Sequence, residues 1–265
     1  MAEPAAWFEK PAEEYDRFVG RYTDALARST VARAGLSEGS SALDVGCGPG
    51  ALTSVLAKSL GSEHVAAVDP SEPFARACAE RVPEADVRVA SADALPFEDQ
   101  SFDATLSQLV VNFLPDAPAG LREMRRVTRP GGVVVATVWD YAGEMTMLRA
   151  YWDAAVELDA AAESLDERKR MRYSHPDELA SLWADGGLIQ VATEPITVSA
   201  VYEDFDDLWR PFTAGIGPAG SHCISLSEAS RNELRESYRG RLGSPQGQFE
   251  LSARAWLAVG SVPER

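Results

Sequence analysis

Apolar and polar positions in the first half of the chain follow two periods in turn, one typical of amphipathic helices and one of short buried strands. Apolar residues recur at helical spacing over residues 11–33, among them Tyr15, Phe18 and Tyr22. From there to Trp139, short apolar runs alternate with helical patterns. Strands that alternate with helices in this way predict an α/β fold with a doubly wound, mostly parallel sheet.

The predicted strands of this half are short and apolar, and helices or turns connect them. The strands cover residues 41–45, 65–68, 87–90, 102–109 and 133–139, and the helices cover residues 51–60, 72–81 and 117–127. Gly61 is expected to end the first of these helices, and Pro130 with two glycines the last. The β-branched run at 133–139 predicts the buried centre of the sheet.

The pattern changes after Trp139. One helix is predicted over 143–163. A second is predicted to begin in the segment 174–177, with Ser174 as N-cap and Pro176 in its first turn, and to end at 185–187. Further strands are predicted over 188–201 and 249–259. We therefore predict a seven-stranded sheet with a helical cap, built from the N-terminal helix and from about residues 141–172 and 202–247. The cap is expected to cover the carboxyl edge of the sheet, where doubly wound folds bind ligands. The predicted division is a lid helix (1–35), a core (36–140) and the remaining sheet with its insertions (141–265).

Composition narrows the class of protein. The 265 residues carry a formal net charge of −16, which disfavours nucleic acid as a substrate despite a basic stretch at 122–129. The sequence has no apolar run long enough to span a membrane, and residues 1–7 lack the basic and apolar regions of a secretory leader. We therefore expect no leader and a cytoplasmic protein. The three cysteines are scattered, which predicts reduced thiols and no metal site.

The segment that carries candidate chemistry begins at the end of the first strand. Asp44 stands two residues before Gly46, and the glycines at 46, 48 and 50 follow in a G-x-G-x-G pattern. Glycines directly after a strand let the backbone turn sharply and approach a ligand. Asp69, at the end of the second strand, suits the two hydroxyls of a ribose. The spacing differs from the G-x-G-x-x-G of nicotinamide sites.

This segment resembles the class I S-adenosylmethionine-dependent methyltransferases, in particular the broad group that includes ubiquinone- and menaquinone-type enzymes. The resemblance is specific over residues 41–139. It implies that the chain binds S-adenosylmethionine and releases S-adenosylhomocysteine. In that family the first acid and the glycines hold the methionine part, and the second acid holds the ribose. The cofactor-binding residues that the resemblance implies are Tyr15, Arg21, Asp44, Gly46, Cys47, Gly48, Asp69, Pro70, Phe74, Ala92, Asp93, Ala94, Leu95, Gln108 and Leu109.

The residues that would act on the acceptor are less defined. Methyl transfer from a sulfonium is an in-line displacement, so a general base is needed only when the nucleophile carries a proton. The candidates for a catalytic role are His222, Asn112 and Tyr15, for each of which plain packing or capping stays open. The predicted substrate pocket comprises Asn112, Phe113, Trp139, Tyr141, Trp209, Phe212 and His222.

The expected function is methylation of an oxygen, nitrogen or carbon atom of a small molecule by a monomer or homodimer without metal. An acidic, alanine-rich chain with a cap suggests a place in secondary metabolism. Three alternatives stay open: a nicotinamide oxidoreductase, a cofactor-binding protein without catalysis, and a methyltransferase acting on a peptide or protein. The absence of a Tyr-x-x-x-Lys pair and the glycine spacing speak against the first. Turnover of any acceptor would remove the second.

Overall fold

The computed structural model describes residues 16–264. Within that part of the chain, seven strands form one sheet in the order β3-β2-β1-β4-β5-β7-β6. The strands are β1 (Ala42–Val45), β2 (Val65–Asp69), β3 (Asp86–Val89), β4 (Phe102–Gln108), β5 (Thr128–Trp139), β6 (Ile189–Tyr202) and β7 (Phe249–Ser261).

Ten α-helices lie in the described residues, the first preceded by a wide helical turn at Asp16–Gly20. They are α1 (Arg21–Ala34), α2 (Ala51–Leu60), α3 (Glu72–Arg81), α4 (Ala117–Val127), α5 (Thr146–Leu158), α6 (Glu167–Arg170), α7 (Pro176–Asp185), α8 (Phe205–Thr213), α9 (Gly217–Ser225) and α10 (Glu228–Arg241). No helix among these is both long and apolar enough to cross a membrane.

Strands β1 to β5 pair in parallel, and β7 pairs antiparallel with β5. This confirms the predicted doubly wound, mostly parallel seven-stranded sheet. The central position of β1 places Asp44 opposite Ala67 of β2 on one side and Leu106 of β4 on the other. The carboxyl ends of these three strands therefore meet at one edge, where doubly wound sheets bind ligands.

The chain forms two compact units. The sheet unit comprises Thr23–Trp139, Arg172–Ile196 and the described residues from Ala255 onward; the aromatic unit comprises the described residues up to Tyr22, Asp140–Met171 and Thr197–Arg254. The three-part division predicted from the sequence stays a prediction, because compactness alone does not show that a unit folds independently.

The core of the sheet unit consists of aliphatic side chains between strands and helices. Leu43, Leu106 and Val134 are fully buried, as expected for strands covered on both faces. Trp183 of α7 is also fully buried, and its indole N–H donates to the Val134 carbonyl at 3.0 Å. This hydrogen bond fixes α7 on the sheet, since an unpaired buried indole N–H would be costly.

The aromatic unit is named for its core. The rings of Tyr151 and Phe212 stack at 4.6 Å, and Tyr238 contacts both edge-on. Beside these rings, Arg149 forms a buried bidentate pair with Asp166, with hydrogen bonds of 2.8 to 3.1 Å. Because both side chains are buried, removing either one would leave the other charge poorly solvated, which would destabilise the fold.

Three local predictions differ from the structure. Strand β5 begins at Thr128, not at residue 133, because Thr128 pairs with Phe102. The register then shifts, and regular pairing with β4 resumes at Val133. The N-cap of α7 is His175; Ser174 is buried one residue earlier, so its predicted capping role is wrong. The helix predicted over 143–163 ends at Leu158, and a short 3₁₀ turn over Ala160–Ser164 follows.

Candidate functional site

The glycine loop after β1 is fixed to the end of β2. The N–H groups of Gly46 and Cys47 both donate to the Val68 carbonyl, at 2.8 and 3.0 Å. Gly46 has a φ of 77° and Gly48 a φ of 51°, a region that side chains with a Cβ rarely adopt. The backbone thus turns sharply at the carboxyl edge of the sheet.

The two glycines differ in their surroundings. A Cβ on Gly46 would lie 2.5 Å from a methyl carbon of Val110, so this position is closely packed. A Cβ on Gly48 would have no heavy atom within 4 Å. The backbone at Gly48 is therefore the part of the loop that a ligand can approach.

Asp69, at the end of β2, holds this loop. Its carboxylate oxygens accept hydrogen bonds from the backbone N–H groups of Gly48, at 2.9 Å, and Ser71, at 2.8 Å. Burial raises the pKa of Asp69, and the two hydrogen bonds oppose that rise. Each oxygen keeps lone-pair capacity beyond these bonds, so the carboxylate can also accept from ligand hydroxyls.

Asp44 is a completely buried acid at the end of β1. The Thr53 hydroxyl donates to its Oδ2 at 2.7 Å, whereas Oδ1 has no hydrogen-bond partner among the described residues. Burial, and to a smaller extent the charge of Asp69, raises the pKa of Asp44 to about 7. A buried oxygen without a partner is unusual, and a ligand N–H would satisfy it.

The segment after β3 lies beside Asp69, since the Ala90 N–H donates to the Asp69 carbonyl at 3.1 Å. Ala92 and Leu95 are buried, whereas Asp93 and Ala94 are exposed. The N–H of Ala94, one of the predicted cofactor-binding residues, donates to the Ser91 carbonyl at 3.1 Å. On the other side of Asp69, Pro70 is exposed and Phe74 is buried.

The end of β4 contributes a second buried oxygen without a partner. The Gln108 amide donates to the Thr23 carbonyl at 3.2 Å, and its Oε1 has no partner among the described residues. Leu109 follows with a φ of 63°. Such strain in a residue other than glycine is concentrated at functional sites. Asn112 and Phe113 lie half-buried in the turn that follows.

Two of the predicted cofactor-binding residues, Tyr15 and Arg21, precede the sheet unit in the chain. Tyr15 lies outside the described residues. The Arg21 guanidinium forms a bidentate pair with Asp207 at 2.8 and 2.5 Å and also donates to the Val201 carbonyl. A ligand carboxylate would have to replace Asp207 to pair with Arg21, so its predicted cofactor role stays a prediction.

His222 has a defined tautomer in the aromatic unit. The Tyr151 hydroxyl lies 2.8 Å from both the Ala219 carbonyl and Nδ1 of His222. The single phenol proton goes to the carbonyl, which can only accept, so Nδ1 of His222 carries the proton that it donates to Tyr151. Burial lowers the pKa of His222, which leaves a neutral ring with an unprotonated Nε2.

The aromatic residues predicted to line a substrate pocket are largely buried. Phe212 is completely buried, and Trp139, Tyr141 and Trp209 are at most 7% exposed. Phe212 and Trp209 pack against each other, at 5.8 Å between ring centroids. These contacts give both rings a packing role, and contact with a substrate stays a prediction.

Sequence reasoning missed Thr53 and Cys78. Both are fully buried beside Asp44, and the thiol of Cys78 lies 3.4 Å from the Thr53 hydroxyl. The sequence held one signal for Thr53. Residues three, four and seven positions apart share a helix face, so Thr53 lies on the same apolar face of α2 as Leu56 and Leu60. A hydroxyl on an apolar face indicates a buried hydrogen-bond partner.

The same unit has an open groove of about 540 Å³ between α4 and α7. It shares no lining residue with the glycine loop, and both basic side chains (Arg122, Arg172) and acidic ones (Asp177, Glu178) line it. Its charge therefore favours no ligand class. Over the described part of the chain, no cluster of three or more histidine, cysteine or acidic side chains could hold a metal ion.

Known proteins resemble this chain over most of its length. Residues 43–136 match the family described as a methyltransferase domain. The malonyl-[acyl-carrier protein] O-methyltransferase of Pseudescherichia vulneris is 30% identical over 237 residues, which cover 87% of this chain and 87% of that protein. The 2-methyl-6-phytyl-1,4-hydroquinone methyltransferase of Synechocystis sp. is 28% identical over 179 residues, 66% of this chain and 55% of that protein.

Among solved structures, a methyltransferase in complex with the Trm112 methyltransferase activator of Haloferax volcanii matches with a TM-score of 0.61. The two chains are 20% identical, and the match covers 100% of each. At this identity the likeness concerns the fold.

Proposed function

Since the chain belongs to the class I S-adenosylmethionine-dependent methyltransferases, we propose that it transfers a methyl group from S-adenosylmethionine to a small-molecule acceptor. The observation that carries the cofactor part is Asp69, a buried carboxylate that holds the Gly48 N–H and keeps lone pairs for a ribose. The resemblance of the first relative over 87% of the chain supports the reaction class.

The sheet unit offers three features that fit this cofactor. Gly48 presents open backbone, Asp69 can accept from two hydroxyls, and the unpartnered oxygens of Asp44 and Gln108 can accept from an ammonium group. When bound, the cofactor supplies a methyl group on a positively charged sulfur. The chain's part is to bind and orient it and to exclude water from the reacting atoms.

The acceptor is proposed as a small molecule with an oxygen, nitrogen or carbon nucleophile. The names of the two relatives, a hydroquinone methyltransferase and a malonyl O-methyltransferase, support a small acceptor group. The acceptor residues predicted from the sequence remain part of the proposal. Among them, the neutral His222 has an unprotonated Nε2 and could serve as a base for a protonated nucleophile.

A second candidate acceptor is a small group carried on a protein. The first relative's printed name specifies a malonyl group on acyl-carrier protein. Comparing turnover of a free dicarboxylic acid, its half-thioester with a small thiol and its carrier-bound half-thioester distinguishes the two candidates, because each keeps one free carboxylate to accept the methyl group. No turnover of any acceptor by protein that binds the cofactor would favour the alternative of binding without catalysis.

The cofactor proposal is tested by calorimetric titration with S-adenosylhomocysteine. We expect Asp69→Ala to weaken binding roughly 5- to 150-fold, because a buried hydrogen-bond partner of about 1–3 kcal/mol is lost. Asp103→Ala is the matched control, since Asp103 also accepts a backbone N–H, from Ser41 at 2.8 Å, but at the amino ends of the strands. No binding by the wild type, or equal losses in the two variants, would contradict the proposal.

A further inference from the structure

Four buried side chains form a connected series beneath the glycine loop. The Thr53 hydroxyl lies 2.7 Å from Oδ2 of Asp44, and the Cys78 thiol lies 3.4 Å from the Thr53 hydroxyl. Cys78 and Cys47 pack together in one buried cluster. The series thus runs from the loop through α3 and α2 to the end of β1.

The acid at the end of the series fixes the direction of every hydrogen bond. An ionised Asp44 can only accept, so Thr53 donates to it, and the hydroxyl, which has one proton, accepts from Cys78. Cys47 packs against Cys78 in the same buried cluster. Their interaction raises the pKa of Cys47 and lowers that of Cys78.

We propose that Thr53 is a positioning residue of the cofactor site: its hydroxyl favours the ionised form of Asp44 and occupies Oδ2, so that Oδ1 is the oxygen left for a cationic group of the ligand. This inference rests on the proposed function, in which that group is the ammonium of the cofactor. Hydrogen bonds that all point toward one charge reinforce each other. Thr53 is the member of the series that contacts the acid directly.

The groups around Asp44 explain why one hydroxyl matters. Burial and the Asp69 charge on β2 both favour the protonated acid, whereas the hydroxyl and the backbone N–H of Thr53 favour the ionised form. The thiols of Cys47 and Cys78, from the loop and α3, are the other titratable groups in the series. These opposing effects leave the pKa of Asp44 at about 7, so its charge is sensitive to any lost donor.

The test compares the pH dependence of S-adenosylhomocysteine binding in the wild type, Thr53→Val and Thr53→Ser between pH 5.5 and 8.5. Wild-type affinity is expected to rise with pH around a midpoint near 7, because the ionised acid attracts the ammonium group. Thr53→Val keeps the side-chain shape and the backbone N–H but lacks the hydroxyl. Its midpoint is expected to move up by about one pH unit or more, which weakens binding about tenfold at pH 6 and less at pH 8.5. Thr53→Ser is expected to keep the wild-type midpoint.

A measurement without ligand separates this inference from the proposed function. The folded pKa of Asp44 lies above its ordinary value of 3.8, so the folded state holds the proton more tightly and stability falls as pH rises from about 4 to the folded pKa. In Thr53→Val, but not in Thr53→Ser, that fall is expected to continue about one pH unit further in urea unfolding. If the wild type binds no S-adenosylhomocysteine, the proposed function fails and the unfolding comparison still decides the role of Thr53.

Three results would overturn the inference: an unchanged midpoint in Thr53→Val, an equal loss of affinity at every pH, or the same shift in Thr53→Ser. Should Thr53→Val fail to fold, Cys78→Ala provides the second variant, because it removes the donor to Thr53 and leaves the hydroxyl. A smaller upward shift of the midpoint is expected there, and no shift would count against the series.

Discussion

Replacing Gly46 by alanine tests the packing of the glycine loop. The added Cβ would lie 2.5 and 2.8 Å from the two methyl carbons of Val110 and 3.1 Å from its Cβ. Val110 is β-branched and stiff about χ1, so a rotamer change gives it little room. Gly46 also has a φ of 77°, where alanine is strained. The substitution therefore combines backbone strain with a steric clash.

The two contributions can be separated with Gly39. Gly39 has a φ of 79°, and a Cβ there would have no heavy atom within 4 Å. Gly39→Ala should therefore cost only the strain of a left-handed residue, about 1–2 kcal/mol. Gly46→Ala should cost a further ~1–3 kcal/mol, because the added Cβ overpacks against Val110. The free energies of unfolding of the two variants should differ by that amount.

Urea unfolding of Gly46→Ala, Gly39→Ala, Val110→Ala and the double variant Gly46→Ala/Val110→Ala measures these quantities. Val110→Ala removes both clashing methyl groups, so the double variant is expected to be more stable than the sum of the single effects by about 1–3 kcal/mol. Equal costs for the two glycine variants, or strict additivity in the double variant, would refute the steric explanation.

Two further predictions concern buried charges in the aromatic unit. Arg149→Met should lower the free energy of unfolding by roughly 3 kcal/mol, because it leaves the buried Asp166 charge with less compensation. The control Arg241→Met breaks the exposed pair with Glu157 and should cost under about 1 kcal/mol in the same urea titration. Equal losses in the two variants would contradict this. Glu167 accepts from the Trp152 indole, and burial raises its pKa to about 7. The folded state thus holds this proton more tightly, and stability falls as pH rises from about 4.5 to 7. Glu167→Gln should remove that part of the fall and be up to about 3 kcal/mol more stable than the wild type at pH 8 but not at pH 4.5; a difference independent of pH would contradict it.

The sequence by itself determined the local elements of the sheet unit. The predicted bounds 51–60, 72–81 and 117–127 coincide with those of α2, α3 and α4. Gly61 ends α2 as predicted, and the apolar faces of the three helices are visible in the spacing of residues. Pro130 does not act as the predicted stop of α4, because it lies within β5, which begins at Thr128. The turn after β1 and the positions of Asp44 and Asp69 at strand ends could also be predicted, because each depends on residues that are adjacent in the sequence.

The tertiary structure alone decided which distant residues are partners. Arg21 pairs with Asp207, 186 positions away, and the hydrogen bond from Thr53 to Asp44 depends on how α2 lies against β1. The early start of β5 likewise depends on the pairing of Thr128 with Phe102. Each of these contacts forms when separate elements pack together. The pattern of residues within one segment does not predict which side chain of another segment it will contact.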